Sequence, residues 1–224
     1  MNSGFNVHDY GVPRDTEHLS WKRKQQEEVF RNSFFHISSA RYARDDGREG
    51  NFLRLDCADW ANVCAVHENS RGEDCLVLVR QFRHGCDEIS LEVPGGYLDA
   101  GEEHMAAARR ELHEETGFRA GTIEHIGAAS PNAAFMGNKL HVFLARELHF
   151  DNVRNLDANE VIDVELVPIP LIARGQVPEF MVNGIMGISW YFFDMWMKRH
   201  GGGWNVGGSH GNGGNGGGWQ HGGG

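Results

Sequence analysis

Three glutamates near the middle of the chain have the spacing of a metal-binding helix face. Glu111, Glu114 and Glu115 stand at positions i, i+3 and i+4, so on a helix their side chains project within about 100° of one another. Like charges this close destabilise a helix unless a cation neutralises them. Because carboxylates alone suit hard cations, the spacing predicts a site for Mg²⁺, with Mn²⁺ as the alternative.

The surrounding residues complete a longer pattern with fixed gaps. Its members are Gly96, Glu102, Arg110, Glu111, Leu112, Glu114, Glu115, Gly117 and Phe118. At a usage of about 5–7% per residue type, its seven invariant positions match by chance on the order of once in 10⁸ starting points. This context favours the metal site over the alternative, a solvated acidic face paired with Arg109 and Arg110.

The pattern resembles the signature of the Nudix hydrolase family, with every fixed position filled. The resemblance implies an α+β fold, an α/β/α sandwich around a mixed β-sheet, in which the signature forms a loop–helix–loop that holds divalent cations against a diphosphate. It implies that Glu111 and Glu115 are the main metal ligands, that Glu114 assists, and that the Gly95 carbonyl completes the protein's share. The implied chemistry is metal-assisted hydrolysis of one P–O bond, with Glu114 and Glu115 among the catalytic residues.

Flanking segments extend the resemblance to roughly residues 20–198. They read DWANVCAV, LVLVRQFRHG, LEVPGGYLDAGE and SPNAAFMGNKLHVFLA, the last with a proline 13 residues past Phe118. These segments are similar to the branch that cleaves ADP-ribose and other nucleoside diphosphate sugars to a nucleoside monophosphate and a sugar phosphate. The chain is therefore expected to be an enzyme, a pyrophosphatase with a small nucleotide as substrate.

Residues outside the signature are expected to bind that substrate. In this branch the arginine that Arg83 matches contacts substrate phosphate, and the alternative is an exposed arginine at a strand end. Asn132 and Phe135 lie in a loop that could shape the sugar pocket, although a well-packed surface loop explains them equally well.

A further carboxylate after the signature often acts as the catalytic base in this branch. The segment LDANEVIDVEL offers Asp157, Glu160, Asp163 and Glu165, and Glu160 is the predicted base. A rival alignment leaves Asp157 nearest to the family's position.

The N-terminal segment is also expected to contribute to binding. In this branch it commonly forms a small extra sheet that crosses to a partner subunit and supplies aromatic residues to the base pocket, so the resemblance implies a homodimer. Trp21, Phe30, Phe34 and Phe35 are the candidates, and core packing is the alternative role for them.

The pattern of apolar residues and turn signals predicts the elements that position the site. Two hairpins are expected, one over residues 29–56 with its turn at DDGREG and one from NVCAVHE to CLVLVRQFR. A short strand then leads through Gly95 and Gly96 into a helix over residues 102–116 that Gly117 ends. Strands are expected at TIEHIGAAS, LHVFLAREL and VIDVELVPI, and a final amphipathic helix over residues 182–197.

Composition excludes several classes of protein. The net charge is −10, which argues against a non-specific nucleic-acid binder. The longest apolar runs fall far short of the roughly 20 residues that a bilayer helix needs, and no secretory signal is visible, so a cytoplasmic address is expected. The four cysteines fit no zinc or disulfide pattern and are expected to be reduced thiols.

The chain divides into three expected parts. Residues 1–55 form the N-terminal segment with its hairpin, and residues 56–200 form the Nudix hydrolase domain. Of the 30 glycines, 14 fall in residues 201–224, a tail without charged residues that is expected to be disordered because it cannot bury enough apolar area.

Two other functions remain open from the sequence alone. A Nudix hydrolase could act instead on NADH, dinucleoside polyphosphates or other nucleotides. A nucleotide-binding protein of this fold that has lost catalysis is the third reading, and the complete set of glutamates argues against it.

Overall fold

The computed structural model of this chain describes residues 10–11, 15–156 and 160–201. Asp157 lies outside the described residues, and so does the glycine-rich tail apart from Gly201.

The N-terminal segment forms a three-stranded antiparallel sheet of its own. Its strands are β1 (Lys22–Arg31), β2 (Phe35–Ala43) and β3 (Glu49–Cys57), in the order β1-β2-β3. The hairpin of β2 and β3 confirms the prediction. Strand β1 was not predicted, because its residues are mostly polar and all exposed and so carry no apolar alternation.

A second sheet of seven strands forms the centre of the molecule. They are β4 (Trp60–Glu68), β5 (Asp74–Arg83), β6 (Glu88–Glu92), β7 (Gly95–Tyr97), β8 (Phe118–Ala129), β9 (Leu140–Phe150) and β10 (Asp163–Pro168). The order is β10-β5-β4-β9-β8, with β6 beside β5 and β7 beside β4. Strands β4 and β9 are parallel and the other pairs are antiparallel, so the sheet is mixed as expected.

Helices cover both faces of this sheet. On one face, α1 (His104–Thr116) packs Ala107, Ala108 and Leu112 against Val63 and Phe143. The other face is covered by α2 (Ile169–Ala173), a 3₁₀ turn at Pro178–Met181 and α3 (Gly184–Arg199). Because both faces are buried, the central strands are almost continuously apolar rather than alternating. The α/β/α sandwich is confirmed.

Helix α1 ends where the sequence predicts. Gly117 adopts the left-handed conformation with φ 74°, which glycine tolerates without strain, and its N–H donates to the carbonyl of His113. The helix begins at His104, two residues later than expected.

Among the helices in the described part of the chain, none combines the length and the apolar character needed to span a membrane.

Candidate functional site

The two glycines before α1 let strand β7 lie against both β4 and the helix. A methyl group at Gly95 would lie 2.3 Å from the carbonyl oxygen of Ala61, and one at Gly96 would lie 2.6 Å from Oε1 of Glu111. A side chain at Gly95 would therefore push β7 away from the backbone of β4, whereas one at Gly96 would displace the Glu111 carboxylate. The absence of Cβ atoms brings the Glu111 carboxylate directly against the turn.

Arg110 organises the exposed side of the signature. It donates to Glu102 at 2.9 and 2.8 Å, to Glu111 at 2.7 Å, to Glu114 at 3.1 Å and to the carbonyl of Tyr97 at 3.0 Å. The same guanidinium lowers the pKa of Glu102, although partial burial opposes this shift. Arg110 thus holds the loop before α1 onto the helix, the structural pairing with Glu102 that the resemblance implies.

Glu115 is the deepest carboxylate of the signature. Its side chain is 4% exposed, and its Oε2 accepts the backbone N–H of Gly95 at 2.9 Å. Burial raises its pKa well above the ordinary value, the charges of Glu111 and Glu160 raise it further, and the Gly95 N–H and Arg83 oppose the shift. Burial and neighbouring negative charges both disfavour the ionised form of Glu115, and a cation bound beside it would favour that form.

Glu111 and Glu160 belong to the same electrostatic cluster. Burial raises the pKa of Glu111, Arg110 opposes this shift, and the charges of Glu114 and Glu160 add to it. The structure therefore brings Glu160, predicted from a distant segment, within electrostatic reach of Glu111 and Glu115. Of the alternative, a solvated acidic face paired with Arg109 and Arg110, the structure shows the Arg110 pairing with Glu111 and Glu114. Glu115 is buried instead of solvated, and Arg109 donates to the carbonyl of Ala120.

Arg83 lies at the end of β5 and is held by a buried partner. Its Nε and Nη2 donate to the two carboxylate oxygens of Glu92 at 2.6 and 2.7 Å, and Asn183 donates to Glu92 at 2.8 Å. Glu92 is only 2% exposed, and its hydrogen bonds raise the pKa of Arg83 although burial opposes this. Because the charge of Arg83 reaches Glu115, the arginine borders the glutamate cluster.

Sequence reasoning missed Glu92 and Asn183. A glutamate inside the apolar run ISLEVP was the available signal, because a charge in a buried strand needs a partner. Asn183 directly precedes α3 and does not lie within an apolar run, so nothing in the sequence indicated its contact with Glu92.

Asn132 and Phe135 lie in a loop that contacts the N-terminal sheet. The Asn132 side chain accepts the N–H of Ala134 within the loop at 3.2 Å, and the carbonyl of Phe135 accepts the N–H of Leu55 at 2.9 Å. Phe135 lines a cavity of about 380 Å³ together with Trp21, Tyr42, Phe52 and Arg54.

The four N-terminal aromatic candidates do not lie together. Trp21 packs edge-on against Phe52 with ring centroids 5.6 Å apart and lines the cavity. Phe30 packs against Phe35 with centroids 6.0 Å apart, and Phe34 lies in the turn between β1 and β2 with 66% of its surface exposed.

Fold and site together define a class: an α/β/α sandwich in which a short glycine-containing strand precedes a helix that carries one buried and two partly buried glutamates. A family model described as NUDIX domain matches residues 59–183, more than half of the chain. The chain belongs to the NUDIX family.

Comparison with individual proteins agrees with this assignment. The ADP-ribose pyrophosphatase of Bacillus subtilis is 39% identical over 93 residues, which is 41% of this chain and 50% of that protein. The ADP-sugar pyrophosphatase of Mus musculus is 40% identical over 67 residues, 30% of this chain and 31% of that protein. The chain thus spans half or less of these two relatives.

A solved structure shares the fold. A crystal structure titled as an ADP compounds hydrolase superposes with a TM-score of 0.69 at 22% identity, covering 81% of this chain and 96% of the other.

Proposed function

We propose that this chain hydrolyses the diphosphate of ADP-ribose or a related nucleoside diphosphate sugar, giving a nucleoside monophosphate and a sugar phosphate. The observation that carries the proposal is the carboxylate cluster of partly buried Glu111 and buried Glu115 against Gly95 and Gly96 of β7, with Glu160 in electrostatic reach. The names of the two pyrophosphatase relatives support the choice of substrate.

The residues at this site fit a hard divalent cation. The donors are all oxygens, and burial raises the pKa of both Glu111 and Glu115, so a bound cation would stabilise the carboxylates as anions. Glu111, Glu114, Glu115 and the Gly95 carbonyl would hold Mg²⁺, or Mn²⁺ in its place. When bound, such ions would neutralise the diphosphate and make a water molecule more nucleophilic.

The chain's own side chains supply the remaining steps. Glu160 would take the proton from the attacking water, since a carboxylate in this cluster is suited to general base catalysis. Arg83 would bind substrate phosphate: Glu92 engages two N–H groups of its guanidinium, and a guanidinium carries five donors. Asn132 would contact the sugar, and Phe135 would offer a stacking surface where it lines the cavity.

A homodimer is part of the same proposal. Strand pairing places Phe30, Ile37, Leu53 and Leu55 on one face of the N-terminal sheet, and Phe30 and Leu53 are 49% and 63% exposed. An apolar face of this kind is suited to an isologous contact with a second copy.

A cytoplasmic location is proposed from the sequence alone.

A substrate panel with a matched pair of variants tests the activity. We expect Mg²⁺-dependent release of two phosphorylated products from ADP-ribose or another nucleoside diphosphate sugar, abolished by a chelator. Glu115→Gln should lower kcat by about 10²-fold or more because it removes a metal ligand. Glu103→Gln, at an exposed position at the start of α1, should keep full activity.

The outcomes separate the alternatives. Turnover of NADH or dinucleoside polyphosphates alone would support the alternative function, a Nudix hydrolase with a different nucleotide substrate. Nucleotide binding without turnover of any panel member would support the non-catalytic reading, and full turnover by Glu115→Gln would contradict the metal assignment.

A further inference from the structure

A second group of metal-ligating side chains lies at the other end of α1. Asp59 directly precedes β4, His104 is the first residue of α1, and His141 is the second residue of β9. One ligand atom from each lies within 4.8 Å of the others. We call these three residues the histidine cluster.

Distances within the histidine cluster fit a shared ion. Oδ2 of Asp59 lies 3.4 Å from Nε2 of His141 and 3.6 Å from Nε2 of His104. Ligand atoms of a tetrahedral zinc site with bonds of about 2.0–2.1 Å are separated by roughly 3.3–3.4 Å. The contact between Asp59 and His141 is a long hydrogen bond, since the usual N–H···O distance is about 2.9–3.0 Å. The two histidine rings also lie close together, with centroids 3.9 Å apart, so a small movement of the rings would place an ion between the three groups.

Neighbouring groups orient two of the three ligands. The backbone N–H of Lys139 donates to Oδ1 of Asp59 at 2.7 Å, which directs Oδ2 towards the two histidines. Nδ1 of His141 lies 3.3 Å from Nε2 of His125, so the ring nitrogen that faces Asp59 is Nε2. Metal-binding side chains typically have such outer partners, which fix their orientation.

We propose that Asp59, His104 and His141 bind a divalent transition metal ion of the zinc type, with water completing its coordination. Two imidazoles and one carboxylate suit such ions, whereas Mg²⁺ prefers oxygen ligands alone. His104 and Glu111 are seven residues apart on α1, about 10 Å along the helix, so this site is separate from the glutamate cluster. Neither its ligands nor its position depends on the proposed hydrolysis.

The ion would connect three segments that meet only through tertiary structure. It would tie the first turn of α1 to the starts of the adjacent parallel strands β4 and β9. Its bound state would therefore restrain the helix that carries the catalytic glutamates, and metal addition is expected to raise the melting temperature.

A cobalt titration of the full chain tests the proposal directly. Excess Mg²⁺ is present to occupy the glutamate cluster, and Co²⁺ serves as a zinc analogue whose visible absorption reports nitrogen and oxygen coordination. We expect one equivalent of Co²⁺ to produce visible bands, and Zn²⁺ to displace it. Glu115→Gln should bind Co²⁺ like the parent, which separates failure here from failure of the proposed function.

Three further variants locate the ion. His104→Ala removes a ligand whose side chain is 42% exposed, and Asp59→Asn keeps an acceptor for the Lys139 N–H. Both should weaken Co²⁺ binding at least tenfold and abolish the rise in melting temperature with Zn²⁺. His149→Ala, at an exposed position on β9, should change neither result.

Two results would overturn the inference. One is the lack of a stoichiometric Co²⁺ complex in the parent chain. The other is equal Co²⁺ affinity in the parent and in a folded His104→Ala variant, which would place the bound ion on other histidines.

Discussion

At the scale of single residues, the site depends on carboxylates held in surroundings that oppose their charge. Glu115 gains one backbone N–H from Gly95, yet burial and two neighbouring glutamates still raise its pKa well above the ordinary value. Glu92 is equally buried but receives three donors from Arg83 and Asn183. The protein therefore supplies enough hydrogen-bond donors for Glu92, whereas Glu115 is suited to binding an added cation.

Asp151 shows the opposite electrostatic situation at the far end of α1. Its carboxylate accepts the Nε–H of Arg119 at 2.7 Å and the N–H of Val153 at 3.0 Å, and it lies 3.0 Å from Nε2 of His113. Chiefly through Arg119, these contacts lower the pKa of Asp151 to about 2. A lowered pKa in the folded state stabilises the fold above the ordinary value of 3.8, and this contribution is lost as pH falls towards 2.

Asp151→Asn should therefore have a pH-dependent effect on stability. At neutral pH the variant should unfold at a lower urea concentration than the parent, by a modest margin because the group is exposed. The difference should shrink as pH falls from about 4 to about 2. Urea titrations at a series of pH values measure it.

The control lies on the opposite edge of the central sheet. Asp163→Asn, on β10, removes an exposed carboxylate at that edge and so measures the effect of losing one acidic side chain alone. A difference for Asp151→Asn that stays constant between pH 7 and pH 2 would contradict the assigned role of this ion pair.

At the scale of elements, strand β7 and helix α1 together position the Glu111 carboxylate. The strand contributes only three residues, Gly95–Tyr97. Because Gly95 and Gly96 lack a Cβ atom, Ala61 and Glu111 can approach them more closely than they could approach a residue with a side chain. The position of the Glu111 carboxylate is thus set by the strand as much as by the helix.

Gly96→Ala tests this coupling. The added methyl group would lie 2.6 Å from Oε1 of Glu111, so the carboxylate must move. We expect kcat on the identified substrate to fall by about 10²-fold, since a displacement of about 1 Å at a catalytic site can cost that much. Stability should change little, because the clashing atoms belong to the end of the flexible Glu111 side chain, which can shift.

Gly184→Ala is the matched control for this substitution. Nothing lies within 4 Å of a methyl group at Gly184, the first residue of α3, so activity should be unchanged and stability equal or slightly higher. Steady-state kinetics measures kcat, and thermal melts measure stability, for both variants. Equal activity in both would show that the Glu111 side chain moves without consequence.

At the scale of the whole molecule, two sheets with different surroundings are joined in one chain. The central sheet is covered by helices on both faces. The N-terminal sheet presents Phe30 and Leu53 on one exposed face, while its β3 strand pairs with the loop that carries Phe135. This exposed face is the contact surface of the proposed homodimer.

Leu53→Glu should convert a dimer into a monomer. The side chain is 63% exposed within one subunit, so the fold should persist, while a charge would be buried without a partner in the dimer interface. Sedimentation velocity at several protein concentrations measures the change. Tyr191→Glu, on the exposed side of α3 at 58% exposure, should leave the association state unaltered, and a parent chain that is monomeric throughout would contradict the proposal.

Local patterns in the sequence predicted much of this molecule. The helix that ends at Gly117 and most strands of the central sheet were predicted because their signals lie within a few residues. Gly95 and Gly96 were expected to form a loop and instead begin strand β7. Strand β1 was missed because its ten residues are exposed. The histidine cluster was also missed, since Asp59, His104 and His141 are brought together only by the tertiary fold.

The parallel pairing of β4 with β9 also has a consequence for how the chain folds. Trp60 pairs with Leu140, so the chain must close a large loop before these central strands can meet, and such non-local contacts slow folding. The turn at Gly95 and all of α1 lie inside that loop. The short hairpin of β4 and β5 can therefore form early, whereas the complete framework around the glutamates is assembled only in a late step.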